Sequence, residues 1–323
     1  MKPAIASCRD GELHVYQIPN ILDQPVPVTV YPIEADEEVL SQAAAPDLIR
    51  IVYSTRNKMR CLGQDGGLLW CYDISPHTTE RLPRTECIFS LDGLFVWLYR
   101  PDAMTSRGPD RLVVLRADTG EVVAQVELDT VGQGGLLVPH SDGRHVMFDV
   151  GEGQDGVRLF CAALADSGIN LYSYPWDDRA LIDIASDGQL FMTVDHGRYD
   201  VAFHAFPSGE VVRKLSVTAL GSGNYDDDDD GDDDEDDPPL IDWSGGFLNS
   251  DIAVVVITGE LDDKEWHHYY EVDLRTGKPL GRFDAHVREG DNFIPLGDGT
   301  WIVSGLNGHP QRKSRTSPLD TCI

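Results

Sequence analysis

Short runs of alternating apolar and polar residues cover most of this chain, and small turns separate them. A turn that carries Asp-Gly joins two such runs in residues 87–99, 136–150, 181–194 and 292–305. Period-two alternation indicates strands, and Asp-Gly between two strands favours a tight hairpin because both residues tolerate a positive φ. We therefore predict a β-hairpin at each of these positions.

A second strand–turn–strand segment recurs in residues 111–128, 201–217 and 269–283, with a looser copy in residues 158–174. One hairpin followed by one such segment makes a four-stranded antiparallel unit. Asp92, Asp142 and Asp187 of the Asp-Gly turns lie 50 and 45 residues apart, and Asp298 follows 111 residues later with a further hairpin, 245–257, between. A four-stranded repeat of this length is typical of a β-propeller blade.

The fold class that these units predict is an all-β propeller of four-stranded antiparallel blades. Complete units cover residues 26–75, 84–130, 134–176, 179–217 and 240–286. The last hairpin, 292–305, has no second half after it, and the segment 4–18 matches the second half of a unit. We therefore predict six blades, with a ring closed by N- and C-terminal strands in one blade; seven blades is the alternative if the tail or residues 20–50 contain another unit. The propeller domain spans 1–307, and the aperiodic segment 308–323 is predicted to be a mobile tail.

The alternation of Ser-x-Asp-Gly hairpins with Asp-x-x-Thr-Gly turns resembles bacterial WD40-like and quinoprotein-like β-propeller repeats over most of the chain. The resemblance implies a propeller that serves more often as an interaction platform than as an enzyme. The chain departs from both patterns: Trp-Asp and Gly-His dipeptides do not repeat, and Gly281 stands where the quinoprotein motif, matched by Asp273, Thr276 and Gly277, has Trp. We therefore predict no quinone and no other cofactor.

Charge restricts the partners of this chain of 323 residues, whose formal net charge is −29. Outside one acidic run of eleven carboxylates the rest of the chain still carries −18. Such a surface disfavours nucleic acid and anionic membranes, because both bind chiefly through Lys and Arg. We predict a protein partner with a neutral or basic surface.

The compartment is predicted from what the sequence contains at its start and in its cysteines. The apolar segment after Lys2 is far shorter than the core of a signal peptide, and no apolar run reaches the length of a membrane span. The six cysteines form no Cys-x-x-Cys pair, which is typical of free cytosolic thiols in a chain of this size. We therefore predict a cytoplasmic protein.

The acidic run lies in a predicted disordered insertion at 221–239, between two blades. Dense like charges repel one another and favour an extended, solvated segment. The run nominally fits a calcium loop, but its composition makes that match almost automatic, and its flanks are rich in Gly and Pro rather than helical. We predict instead an electrostatic interaction loop, made of Asp226, Asp227, Asp228, Asp229, Asp230, Asp232, Asp233, Asp234, Glu235, Asp236 and Asp237.

Three further patterns invite a functional interpretation. Residues 151–156 fit Gly-x-Gly-x-x-Gly, but a strand-like segment follows where a dinucleotide site needs a helix, so we predict a loop between strands. His267 and His268 are adjacent, and adjacent side chains on a strand point to opposite faces, so we predict one exposed and one packed histidine rather than a metal pair. The turn aspartates Asp92, Asp142, Asp187 and Asp298 could form a ring of carboxylates, but their Asp-Gly context already explains them as turn formers.

No catalytic, cofactor or metal residue is predicted, and the sequence favours a non-enzymatic protein–protein scaffold whose acidic loop attracts basic partners. One alternative is a metal-dependent, lactonase-like propeller hydrolase with a site at the channel mouth. A third is a propeller that binds a small ligand without chemistry. Fold alone does not decide among the three.

Overall fold

A computed structural model describes residues 4–18, 20, 26–34, 37–75, 84–221, 238–261, 264–287, 293–305 and 308–315. Its strands form seven antiparallel sheets, in each of which strands that are consecutive in the chain are neighbours. Five sheets have four strands, and within the described residues the first and last sheets have three. Two short 3-10 turns, Gly153–Asp155 and Thr218–Leu220, are the helical segments among these residues, and none there is long and apolar enough to cross a membrane.

The chain divides into two compact units between Asp177 and Asp178. The first unit contains four sheets: β1 (Ala4–Arg9), β2 (Glu12–Gln17) and β3 (Thr29–Pro32); β4 (Ser41–Ala44), β5 (Arg50–Ser54), β6 (Lys58–Gly63) and β7 (Leu68–Asp73); β8 (Glu86–Phe89), β9 (Phe95–Arg100), β10 (Arg111–Arg116) and β11 (Val122–Glu127); and β12 (Leu137–Pro139), β13 (His145–Gly151), β14 (Val157–Ala165) and β15 (Gly168–Ser173).

The second unit contains three sheets: β16 (Arg179–Ile184), β17 (Leu190–Asp195), β18 (Asp200–Ala205) and β19 (Val211–Ser216); β20 (Leu240–Phe247), β21 (Ile252–Leu261), β22 (Lys264–Asp273) and β23 (Lys278–Phe283); and β24 (Ile294–Pro295), β25 (Thr300–Ser304) and β26 (Pro310–Ser314).

The apolar core of each unit lies on the middle strands of its sheets. In the first unit Phe148 and Phe160 stack with their ring centroids 4.9 Å apart, in a buried cluster that includes Trp97. In the second unit Phe203 and Phe247 meet edge to face at 6.0 Å. These middle strands are buried on both faces, so they consist of nearly continuous apolar residues, whereas the last strand of each four-stranded sheet is largely exposed.

The predicted hairpins are confirmed, but the prediction of six blades is wrong because the structure has seven sheets. The terminal strands lie in different sheets: β2 pairs with β1 on one side and β3 on the other, whereas β25 pairs with β24 and β26 in a separate sheet. The sequence pattern missed β3 and β26 because both are short and contain proline, and β26 also carries two basic residues. They come from the two segments that the seven-blade alternative named.

The predicted boundary at 307 also differs from the structure. Pro310–Ser314 pairs with Thr300–Ser304, and Lys313 is buried at 6% exposure, so regular structure continues into the segment expected to be a mobile tail. A lysine at a buried strand position interrupts the apolar alternation, which is why the strand has no periodic signal. Residues 316–323 of the predicted tail lie outside the described residues.

One turn of six residues recurs with the same hydrogen bonds in residues 45–50, 90–95, 140–145 and 185–190. In each copy the first N–H donates to the sixth carbonyl, and the fourth N–H donates to the first carbonyl, over 2.8–3.0 Å. The third residue is always Asp, and its Oδ1 accepts the N–H two positions later. The fourth residue has φ between +63° and +72° and is Leu48, Gly93, Gly143 or Gly188. We call this the repeated turn; it joins the first two strands of four sheets.

Candidate functional site

The acidic run, 226–237, lies outside the described residues, and the structure describes only its flanks. The strand β19 ends at Ser216, a 3-10 turn follows over Thr218–Leu220, and β20 begins at Leu240. The run therefore lies between two complete four-stranded sheets, which is the position in the repeat that the sequence predicts. Its role as an interaction loop stays a prediction.

Exposed apolar side chains occur on the last strand of every four-stranded sheet. These strands, β7, β11, β15, β19 and β23, each lie at an edge of their sheet and are called the edge strands below. Their large apolar residues with 38–55% exposure are Leu68, Leu69, Val122, Val123, Tyr172, Val211, Val212 and Leu280. The register of β11 against β10 shifts at Val123, and this bulge leaves the adjacent Val122 and Val123 both exposed. Edge strands that carry apolar residues and unpaired backbone groups are surfaces on which another chain can dock.

The turn aspartates have the role in the turns that their Asp-Gly context predicts. Oδ1 of Asp92, Asp142 and Asp187 accepts a backbone N–H of its own turn over 2.8–3.0 Å. Asp298 does the same for Thr300 and also pairs with Arg312. Oδ1 of each of these carboxylates thus forms its own turn.

His267 and His268 contact different partners, as predicted for neighbours on a strand. His267 lies 3.6 Å from Glu265, whereas Nδ1 of His268 lies 2.8 Å from Arg282. Burial and the Arg282 charge lower the pKa of His268 from its ordinary value. The prediction that one is exposed and one packed is wrong, because both are half-buried.

Residues 151–156 form a loop between strands rather than the start of a nucleotide-binding helix. The strand β13 ends at Gly151, one 3-10 turn covers Gly153–Asp155, and β14 begins at Val157. A pyrophosphate site of the Gly-x-Gly-x-x-Gly type needs a helix N-terminus at this point. The loop interpretation is therefore confirmed.

Three ligand-type side chains converge on the third copy of the repeated turn, between β12 and β13. His140, Asp142 and His145 each offer one atom, and these atoms lie within 4.8 Å of one another. Oδ2 of Asp142 is 2.6 Å from Nδ1 of His145 and 3.1 Å from Nδ1 of His140. The two imidazole rings are nearly perpendicular, with centroids 6.1 Å apart. We call these three residues the His–Asp–His cluster.

The turn itself fixes the orientation of the Asp142 carboxylate. Its Oδ1 accepts the backbone N–H groups of Arg144 at 2.8 Å and His145 at 3.0 Å. Partial burial alone would raise the pKa of Asp142, but these backbone donors and the two imidazoles outweigh it and hold the pKa well below its ordinary value. Asp142 is therefore ionised at neutral pH, with Oδ2 directed at both histidines.

A cavity of about 150 Å³ lies beside the cluster, between the second and third copies of the repeated turn. His140 and His145 line it from one side, and Ser90 and Asp92 line it from the other. The exposed Arg144 also lines it. The cavity is large enough for several water molecules.

Sequence reasoning missed this cluster, although its signal, His-x-Asp-x-x-His, is visible in residues 140–145. The spacing matches none of the common metal motifs on a helix or a zinc finger. The first and sixth residues meet because they are hydrogen-bonded across the turn. The signal could have been found by asking which side chains a predicted hairpin brings opposite each other.

Comparison with known proteins identifies the fold. The chain matches no protein-family model and no curated protein sequence. Among solved structures it is similar to U3-55K (TM-score 0.57, 11% identity, 94% of this chain and 86% of that chain). It is also similar to the Dos1 propeller (TM-score 0.55, 12% identity, 95% and 83%) and to hydrazine synthase of Kuenenia stuttgartiensis (TM-score 0.52, 10% identity, 84% and 75%).

These likenesses show that the chain has a β-propeller fold, with the seven sheets as its blades. Propellers often serve as interaction scaffolds, and the similar structures also include an enzyme, hydrazine synthase. At identities of 10–12% the likeness does not extend to function.

Proposed function

We propose that this propeller is a protein-interaction scaffold that captures a basic protein partner on its edge strands. The observation that carries the proposal is the exposed apolar residue or pair on every edge strand, including Val122–Val123 and Val211–Val212. Natural edge strands are ordinarily protected by charge, proline or a covering segment. Burying one half-exposed valine against a partner contributes about 1 kcal/mol, so several together support a stable contact.

Charge selects the kind of partner. The net charge of −29 attracts basic surfaces and speeds their encounter with the chain. The acidic loop contributes eleven of these charges and would act before contact, whereas the edge strands would hold the partner after contact. The two contributions differ in salt dependence, because screening weakens attraction between exposed charges and leaves apolar contact largely unchanged.

Affinity capture from native cell extract tests the proposal with three forms of the tagged chain. The first is the wild type, and the second carries Val122→Thr, Val123→Thr, Val211→Thr and Val212→Thr. Threonine keeps the β-branched shape and the strand preference but removes apolar surface. The third, a matched control, carries Val131→Thr, since Val131 is 58% exposed but lies outside the strands.

We expect the wild type and the Val131→Thr control to retain the same basic proteins, and the fourfold variant to lose them. High salt should slow their capture more than it weakens the complexes once formed. If the fourfold variant, shown to be folded by circular dichroism, retains the same proteins as the wild type, the edge strands are not the docking surface and the proposal is wrong.

A further inference from the structure

We propose that the His–Asp–His cluster binds one divalent transition-metal ion of the Zn²⁺ type, through His140, Asp142 and His145, with its remaining coordination position open to the adjacent cavity. The site lies on a single turn of one blade. The inference goes beyond the proposed scaffold function and does not depend on it.

The distances within the cluster fit such an ion after a small adjustment. Zinc bonds of about 2.0–2.2 Å to nitrogen and oxygen place tetrahedral ligand atoms about 3.3–3.5 Å apart. Oδ2 of Asp142 lies 3.1 Å from Nδ1 of His140 and 2.6 Å from Nδ1 of His145, so these two separations open by less than about 1 Å. The three ligand atoms lie within 4.8 Å of one another, so any wider separation closes by less than about 1.5 Å. Nδ1 of His140 also accepts the Asp142 N–H at 3.2 Å, a hydrogen bond that the ion would replace. His145 is only half-buried, which gives its ring room to make this movement.

The donor set selects the class of metal. Two imidazoles and one carboxylate suit zinc and its first-row neighbours, whereas calcium and magnesium prefer sets of oxygen atoms. Three protein ligands with one open position are typical of zinc sites that keep a bound water. The cavity of about 150 Å³ beside the two histidines can hold that water.

The other copies of the repeated turn show that this turn forms without the two histidines. The other three copies make the same pair of backbone hydrogen bonds with Ala45 and Arg50, Ser90 and Phe95, or Ala185 and Leu190 at the first and sixth positions. The Asp at the third position is common to all four copies and forms the turn. The histidines are thus an addition, in one copy, of two ligand-type groups on either side of a carboxylate that the turn already orients.

The hydrogen bonds that orient the Asp142 carboxylate also favour metal binding by its Oδ2. Oδ1 of Asp142 is held by two backbone N–H groups, which leaves Oδ2 directed at the imidazoles. Fixing a ligating carboxylate through its other oxygen reduces the rotational entropy lost on binding a metal.

The test is isothermal titration of the full chain with Zn²⁺ in the presence of excess Mg²⁺, which occupies weak oxygen sites on the acidic run. The main variant, His140→Ser with His145→Phe, copies the residues that the preceding blade has at the same two positions, Ser90 and Phe95. A second variant, His145→Phe alone, changes only the half-buried ring and keeps the test valid if the double variant does not fold. Asp187→Asn is the matched control, because Asp187 occupies the same position in a copy without histidines.

We expect one equivalent of Zn²⁺ on the wild type and on Asp187→Asn, and at least tenfold weaker binding on both histidine variants. Co²⁺ substitution should give a visible spectrum in the wild type that either histidine variant loses. The proposal is overturned if the wild type binds no Zn²⁺ under these conditions, if the folded histidine variants bind it equally well, or if binding disappears only when residues 226–237 are deleted.

Discussion

Asp110 is a carboxylate with no exposed surface, and four donors satisfy it. Oδ2 accepts the Tyr99 hydroxyl at 3.1 Å, the Thr130 hydroxyl at 2.8 Å and the Gly132 N–H at 2.7 Å, while Oδ1 accepts the Ala103 N–H at 3.0 Å. Asp110→Asn turns one acceptor into a donor that faces other donors. We expect it to lower the free energy of unfolding by about 2–3 kcal/mol, measured by urea denaturation.

The control for this variant is Asp118→Asn. Asp118 pairs with Arg116 on the exposed surface, and exposed ion pairs contribute little to stability. Its urea midpoint should stay close to that of the wild type. Equal midpoints for Asp110→Asn and the wild type would show that the buried network does not stabilise the fold.

Glu86 makes stability depend on pH. Burial raises the pKa of Glu86 to about 7, from an ordinary value of 4.5. A hydrogen bond from Ser41 opposes this rise, and the negative charge of Asp149 adds to it. The folded chain thus binds this proton more tightly than the unfolded chain. The stability it contributes is fully present below pH 4.5 and is lost as the pH rises through 7.

Replacing Glu86 by Gln removes this proton-linked contribution. We expect the difference in stability between Glu86→Gln and the wild type to favour the variant more at pH 8 than at pH 5. Urea midpoints of both proteins at the two pH values measure this difference. Aspartates with a lowered pKa, such as Asp73 and Asp142, act in the opposite direction, but they do so in both proteins and cancel in the comparison. A difference between variant and wild type that does not change with pH would contradict the raised pKa.

Two glycines in tight turns allow the cost of a positive φ to be measured separately from the cost of a steric clash. Gly143 and Gly120 have nearly the same φ, +71° and +72°. An added Cβ at Gly143 meets nothing within 4 Å, whereas at Gly120 it would lie 2.7 Å from Cδ2 of Trp70. Trp70 is held in place because its indole N–H donates to the Ala117 carbonyl at 3.0 Å.

We expect Gly143→Ala to cost about 1 kcal/mol, from the left-handed conformation alone. Gly120→Ala should cost about 1–3 kcal/mol more, because the indole must shift out of its site. Thermal or urea denaturation of the metal-free proteins measures both. Equal losses would mean that Trp70 moves without cost.

The hairpins could be predicted where a turn carried Asp-Gly, and they were missed where one residue differed. The turn at 45–50 has the same hydrogen bonds as the other copies, but Leu48 stands at the position of positive φ where they have glycine. The first complete unit predicted, 26–75, also began too early, because it included Thr29–Pro32, which belongs to the preceding sheet, whereas its own first strand begins at Ser41. The strands β3 and β26 gave no periodic signal because each is short and contains proline, and β26 also carries two basic residues.

The candidate sites were likewise only partly predictable from the sequence. Sequence alone correctly placed the acidic run between two blades and assigned Asp92, Asp142 and Asp187 to turns. It did not place His140 against His145, since that requires knowing which residues face each other across the turn. The cavity beside them depends on the preceding blade and therefore on tertiary packing.

The charge of the whole chain opposes its compact state. A net charge of −29 repels itself, and salt screens that repulsion. We expect the thermal midpoint to rise as NaCl is added at pH 7. The rise should be smaller, but not absent, when residues 226–237 are deleted, because −18 remains on the rest of the chain. A midpoint that does not change with salt would show that the repulsion is already neutralised by bound counterions.

Deleting residues 226–237 separates folding from recognition. The flanking strands are each paired in their own sheets, Asp200 with Ser216 and Leu240 with Thr258. Loop length affects stability only weakly, so we expect the midpoint at high salt to change by less than about 2 °C. Capture of basic partners at low salt should weaken. A control run of equal length, with every carboxylate replaced by its amide, should weaken capture equally; if it captures normally, the length of the loop matters and its charge does not.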